Sequence, residues 1–243
     1  MRWRTTLAVT ERVLLQLRRD PRTLVMLLAL PCVVLTLLWW MFPHGTSGGF
    51  ETLAPALLAL IPFIVMFLVT SVTTLRERTS GTLERLLAMP LGRGDFLGGY
   101  ALAFGAAAVV QSALAVALCV GLLGLTVSGP IAMLAVVAIA DAVLGTALGL
   151  LVSAFARTEF QAVQFMPVVV IPQILLCGLF RPRGELPEVL RQVSDVLPLS
   201  YATDGMKAVV MGTSGTGKDL LIVLAYAVVG LALGALTLRR KTI

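Results

Sequence analysis

An all-α membrane protein with six transmembrane helices is the fold the sequence predicts, on three observations. The first is composition: 58% of the 243 residues are hydrophobic and 13% charged, where soluble domains carry about 25% charged residues. The second is the presence of six apolar stretches, at 23–42, 53–75, 100–125, 131–155, 165–180 and 219–238. They reach or approach the roughly 20 residues that a helix needs to cross a hydrocarbon core. Lipid offers backbone amides no partner, so each stretch must satisfy them internally as a helix. The third is the placing of positive charge. Fourteen of the nineteen basic residues fall on one side of this layout, from Arg2 to Arg22, Arg76 to Arg93, Arg157, and Arg239 to Lys241. Cytoplasmic flanks carry such an excess, so both termini are expected inside a bacterial plasma membrane. Residues 1–243 read as one membrane domain.

Residues 1–22 open the chain on the inner surface. Over 3–19, Trp3, Leu7, Val13, Leu14 and Leu17 fall on one arc, with Arg4, Glu11, Arg12, Arg18 and Arg19 opposite. That is the pattern of an interfacial helix bedded among lipid headgroups. Arginines persist to Arg22 and the first apolar run is full length, which does not fit a cleavable signal. Asp20-Pro21 supplies an N-cap and a proline at the first helical position. Trp39-Trp40-Met41-Phe42 closes the first span as an aromatic belt, and His44 in the following loop has no second ligand near it.

The second span returns to the cytoplasm at a charged segment, 76–95. Thr79 and Ser80 can cap a short helix there, Gly81 lets the backbone turn into it, and Pro90 ends it. Leu83, Leu86 and Leu87 share one side, and the charges lie around the rest. The third span is rich in alanine and carries Gln111. The fourth and sixth contain Gly145-Thr-Ala-Leu-Gly149 and Gly230-Leu-Ala-Leu-Gly234, spacings that let helices approach closely in lipid. Asp141 precedes Gly145 and Gly149 by four and eight residues and so shares their face. A charge at mid-membrane costs about 2.5–3.5 kcal/mol on insertion scales, which turns Asp141 inward, as an interhelical contact or part of a gate. The fifth span is short, carries Pro167 and Pro172, and holds Gln173.

An outer segment, 181–218, follows. Leu186, Val189, Leu190, Val193 and Val196 have helical spacing between Pro187 and Pro198, and a second apolar-faced stretch runs from Tyr201 to Met211. Two short helices folding back against the outer leaflet explain this apolarity, with Asp195, Tyr201 and Asp204 as a polar rim. Gly212-Thr-Ser-Gly-Thr-Gly217-Lys218 matches seven positions of a phosphate-binding loop, but Asp219 stands where Ser or Thr should hold magnesium. With no strand expected before it, this is a turn into the last span.

Several function classes fall away. The basic balance is the positive-inside bias and offers no module for nucleic acid. Cys32, Cys119 and Cys177 lie within expected spans, so no disulfide framework is implied. No nucleophile–base pair or metal cluster supports a membrane-embedded enzyme. An ion-coupled carrier usually has more intramembrane ionisable groups than Asp141, and stays as the lesser alternative.

The segment Arg76-Glu77-Arg78-Thr79-Ser80-Gly81-Thr82-Leu83-Glu84-Arg85-Leu86-Leu87, followed by Pro90-Leu91, closely resembles the E-R-x-x-G-T-L-E-x-L-L-x-x-P pattern of type 2 ATP-binding-cassette (ABC) transporter permeases, in particular multidrug or daunorubicin exporters. Leu17-Arg18-Arg19-Asp20-Pro21-Arg22 is similar to the family's approach to the first span. Leu186-Pro187 and Leu197-Pro198-Leu199-Ser200-Tyr201-Ala202 are similar to its outer re-entrant segment. The resemblance implies two permeases, identical or homologous, working with two ATPase subunits. ATP and magnesium are then held by those partners, and this chain holds no cofactor and is no enzyme. By position, Arg76, Glu77, Arg78, Gly81, Thr82, Glu84 and Arg85 are implied as the ATPase-coupling residues. Pro187, Pro198, Tyr201 and Asp204 are implied in the outer re-entrant helices, and Gln111, Asp141 and Gln173 are the polar groups inside the membrane. The sparse polar content of the spans suits a lipophilic or amphipathic cargo. Polysaccharide export, known in the same family, calls for more aromatic lining than the 7% aromatic content supplies.

Overall fold

A computed structural model describes residues 3–42, 49–79 and 93–237, and the described residues are helical almost throughout. The helices are α1 (Trp3–Arg19), α2 (Pro21–Met41), α3 (Phe50–Thr79), α4 (Arg93–Gly121), α5 (Ile131–Ser153), α6 (Glu159–Leu176), α7 (Glu188–Val196), α8 (Pro198–Met211) and α9 (Thr216–Thr237). Six of them, α2 to α6 and α9, are long and apolar enough to cross a membrane. The segment 80–92, with Gly81, Thr82, Glu84 and Arg85, and the loop with His44 lie outside the described residues.

The helix starts follow local chemistry. Asp20 caps α2: its Oδ1 accepts from the Thr23 amide at 3.2 Å and its Oδ2 from the Thr23 hydroxyl at 2.6 Å, with Pro21 just inside. These bonds hold the Asp20 carboxyl below the usual carboxylate range, the hydroxyl contributing most. Thr158 caps α6 through the Gln161 amide at 3.1 Å. That cap starts α6 six residues ahead of the apolar run, which begins at 165. Thr79, expected to cap the next helix, is instead the last residue of α3, and Arg93 already belongs to α4. The charged segment is therefore flanked on both sides by helices that continue into the bundle.

At the centre, α3 packs closely on α5, and it is the most buried of the six long helices. A Cβ at Gly145 would lie 2.5 Å from the Phe63 carbonyl oxygen, and one at Gly149 2.5 Å from that of Phe67. The equal spacing, 145 to 149 and 63 to 67, means that α3 and α5 run in the same direction. Gly230 and Gly234 lie against Ala147 and Leu151 in the same sense, so α9 runs that way too. Between helices in lipid there is no hydrophobic drive, since the tails are as apolar as leucine. Close backbone approach at small residues supplies the contact instead. Ser112 Oγ donates to the Ala138 carbonyl at 3.1 Å, setting α4 on α5. Phe63, Phe67, Leu134 and Met206 are fully buried in the main core. Val9, Phe96, Tyr100 and Phe104 form a second core at the end of the bundle that carries Arg76.

Candidate functional site at the basic end of the bundle

Side chains on a helix advance about 100° per residue, so three in a row fan out across half the circumference. The last turn of α3 uses that spread. Arg76 donates from Nε and Nη2 to the two carboxylate oxygens of Glu159 at 2.9 and 3.0 Å, reaching the start of α6. Glu77 accepts from Arg12 Nη2 at 2.8 Å and Gln16 Nε2 at 2.9 Å, reaching α1. Arg78 donates to the Ser153 carbonyl at the end of α5. Three consecutive charged residues thus tie the helix that leads into segment 80–92 to three other helices.

The contacts differ in strength. Arg76 and Glu159 are 61% and 48% exposed, and such a pair contributes about 0–1 kcal/mol. The Glu77 side chain is 14% exposed, so its two charge-assisted bonds are less screened and matter more.

The other flank of segment 80–92 is held by the same helix, α1. Thr6 Oγ1 donates to Asp95 Oδ1 at 3.4 Å, and Thr10 Oγ1 to the Gly99 carbonyl at 3.2 Å. A Cβ on Gly99 would sit 2.5 Å from Val9 Cγ1, so glycine is what lets α1 lie on α4. The buried face of α1 is Thr6, Val9 and Val13. Trp3, Leu7 and Leu14 of the expected apolar arc are exposed. The arc is wider than the contact, and its Val13 and Leu17 edge meets the bundle.

At the bundle centre, Asp141 and Gln111 lie within a turn of the Ser112–Ala138 contact, both almost wholly buried. Neither has a hydrogen-bond partner among the described residues. Gln173 joins α6 to α8: its Nε2 donates to Val169 O at 3.0 Å and its Oε1 accepts from the Leu199 amide at 3.3 Å. Among the described residues no group of three metal-ligating side chains occurs.

The opposite end is organised by a residue that sequence reasoning passed over. Arg183, in a short 3-10 turn, bonds both Asp195 and Asp204. It also donates from Nε to Ser194 Oγ at 2.8 Å and lies 5.3 Å from the Tyr201 ring centre. Pro187 precedes α7 and Pro198 opens α8. Of the two short helices, α8 packs into the bundle with Leu199, Ala202, Met206 and Val209 buried. Helix α7 instead buries Ser194 and exposes Val189, Val193 and Val196. The glycine-rich stretch 212–218 follows helix α8 and runs into α9, so it lacks the preceding strand of a phosphate-binding loop.

Arg12, Gln16, Glu159 and Arg183 were missed at the sequence level because their partners lie far away in the chain. A signal existed for two of them. Glu159 follows a Thr cap at a helix start, and Arg183 is a basic residue among Glu185, Glu188, Asp195 and Asp204.

Comparison with known proteins covers most of the chain. The sequence profile of the family described as ABC-2 type transporter matches residues 4–211. The probable multidrug ABC transporter permease YbhR of Escherichia coli is 29% identical over 155 residues, 64% of this chain and 42% of that protein. ABC transporter G family member 20 of Dictyostelium discoideum is 25% identical over 205 residues, 82% of this chain and 28% of that protein. The linearmycin resistance permease protein LnrN of Bacillus subtilis is 27% identical over 172 residues, 69% of this chain and 44% of that protein. The chain matches less than half the length of each of these three relatives.

Proposed function

The chain belongs to the ABC-2 type transporter family, and from that premise we propose that it is the membrane-spanning subunit of an ATP-driven exporter of lipophilic or amphipathic molecules. With six membrane-length helices and that family it is a multi-pass membrane protein and a permease subunit. In this reading two ATPase subunits hold ATP and magnesium, and a second permease, identical or homologous, completes the path. Both termini and segment 80–92 lie in the bacterial cytoplasm, and α7 and α8 on the outer side. The cargo class rests on the apolar spans and on relatives named for multidrug transport and linearmycin resistance.

The observation that carries the proposal is the fan of Arg76, Glu77 and Arg78 over α6, α1 and α5. A partner pressing on Gly81, Thr82, Glu84 and Arg85 would move the end of α3, and these contacts hand that movement to three helices at once. Alternating access needs such a two-state element biased by a ligand.

Affinity purification from native membrane should recover an ABC ATPase with the permease, and candidate amphipathic compounds should stimulate its hydrolysis. Replacing Glu84→Lys should lower transport per ATP hydrolysed without loosening the bundle. Unchanged transport removes Glu84 from the contact. Transport that persists without any ATPase would replace the proposal with an ion-coupled carrier built around Asp141.

A further inference from the structure

At the basic end, α1, α2, α3 and α4 enclose a cavity of about 300 Å³ beside the Glu77 contact. Its wall mixes three kinds of group. Asp20 and Glu77 present carboxylates, Arg76 a guanidinium, and Leu17, Tyr100 and Phe104 apolar or aromatic surface. Gln16 and Arg76 are exposed at its mouth, whereas Tyr100 is fully buried in the wall. The proposed coupling role uses Glu77 through Arg12 and Gln16, and it does not account for the cavity.

We propose that this cavity binds the headgroup of an inner-leaflet phospholipid that carries a primary ammonium beside its phosphate. The juxtaposition of opposite charges selects that chemistry. An ammonium donates three hydrogen bonds, and a carboxylate oxygen accepts more than one. Asp20 is therefore able to take such a group while capping α2 through Thr23. The Thr23 hydroxyl, then its amide, hold that carboxyl below the usual carboxylate range. The phosphate falls to Arg76, which engages Glu159 through Nε and Nη2, so Nη1 is not taken up by that pair. Leu17, half-buried at the rim, offers apolar surface for the start of the acyl chains.

The same lining argues against other headgroups. A trimethylammonium has no N–H to give the carboxylates. A purely anionic headgroup sets its charge beside the Asp20 carboxylate with no cation of its own to offset it, and Glu77 is already bonded to Arg12. A lipid is favoured over a soluble amine because the cavity lies at the ends of membrane-length helices. Beside it, α1 turns Trp3, Leu7 and Leu14 outward. The site does not depend on which cargo the protein moves.

The test is native mass spectrometry of the purified full chain, released from nanodiscs of equal phosphatidylethanolamine, phosphatidylcholine and phosphatidylglycerol. Phosphatidylethanolamine should be retained about an order of magnitude above the other two. Asp20→Asn keeps an N-cap oxygen for Thr23 and should abolish most of that preference, as should Arg76→Gln. Retention in proportion to the bulk lipid, or preference for either other lipid by the unaltered chain, overturns the proposal without recourse to any variant. So does a preference that survives Asp20→Asn. Because bound lipid is read directly, with neither ATPase nor transport, failure here leaves the exporter proposal untouched, and the reverse holds.

Discussion

Gly145 and Gly149 show how much a single missing methylene decides in this protein. Their backbones face the carbonyls of Phe63 and Phe67, where a Cβ would stand 2.5 Å away. The obstacle is backbone, which has no rotamer to change. Gly230 meets nothing nearer than the Ala147 Cβ at 3.5 Å, an ordinary contact. Gly145→Ala should therefore lower the thermal unfolding temperature in detergent, at a cost of about 1–3 kcal/mol. Gly230→Ala should leave it within error. Equal behaviour of the two variants would mean that α3 and α5 do not depend on this approach. The glycine spacing was legible in the sequence, but the two G-x-x-x-G patterns looked alike there. Only the α3–α5 contact separates the tight one from the loose one.

Among elements, α7 is set by its polar side. Its valines at helical spacing predict a face turned to the outer leaflet, and Val189, Val193 and Val196 are exposed while Ser194 is buried. The reason lies in its anchors. Ser194 Oγ donates to Leu176 O at 2.8 Å, and Tyr201 Oη donates to Asp195 O at 2.6 Å, with Arg183 bonded to Asp195 and Asp204. Polar contacts thus orient the helix, and its apolar side is left for a lipid-like surrounding. Arg183→Met should release it, at a cost of about 1 kcal/mol, because Asp195 and Asp204 stay partly exposed and Ser194 keeps its bond to Leu176. Hydrogen exchange should then quicken over 181–197 while α3 and α5 keep their protection. Uniform loss of protection would instead make Arg183 part of the global fold. Helix α1 repeats the lesson at the other end, since Thr6 and Val9 face the bundle while Trp3, Leu7 and Leu14 are exposed.

For the whole molecule, the proposed topology places segment 80–92 and residues 212–218 on opposite faces of the membrane. A cysteine at Ser214 should react with an impermeant thiol reagent added outside intact cells, and one at Thr82 only after permeabilisation. Cys119 and Cys177 are buried and Cys32 partly so, hence Cys32 alone needs replacing to lower background. Labelling of Thr82→Cys from outside would invert the topology and remove the coupling role proposed for that segment.

Composition, span length and cap chemistry are properties of short stretches, and the sequence by itself determined six membrane-length helices, their approximate bounds and the family. Partner choice is a property of the assembled bundle. That Glu77 meets Arg12, that Arg78 meets Ser153, and that Gly145 faces Phe63 rather than lipid were decided only in three dimensions. In a soluble protein an apolar face points to the core, because water marks the other side. Lipid is as apolar as the interior, so periodicity loses that information here. Small residues and charge pairs distant in the chain decide what meets what.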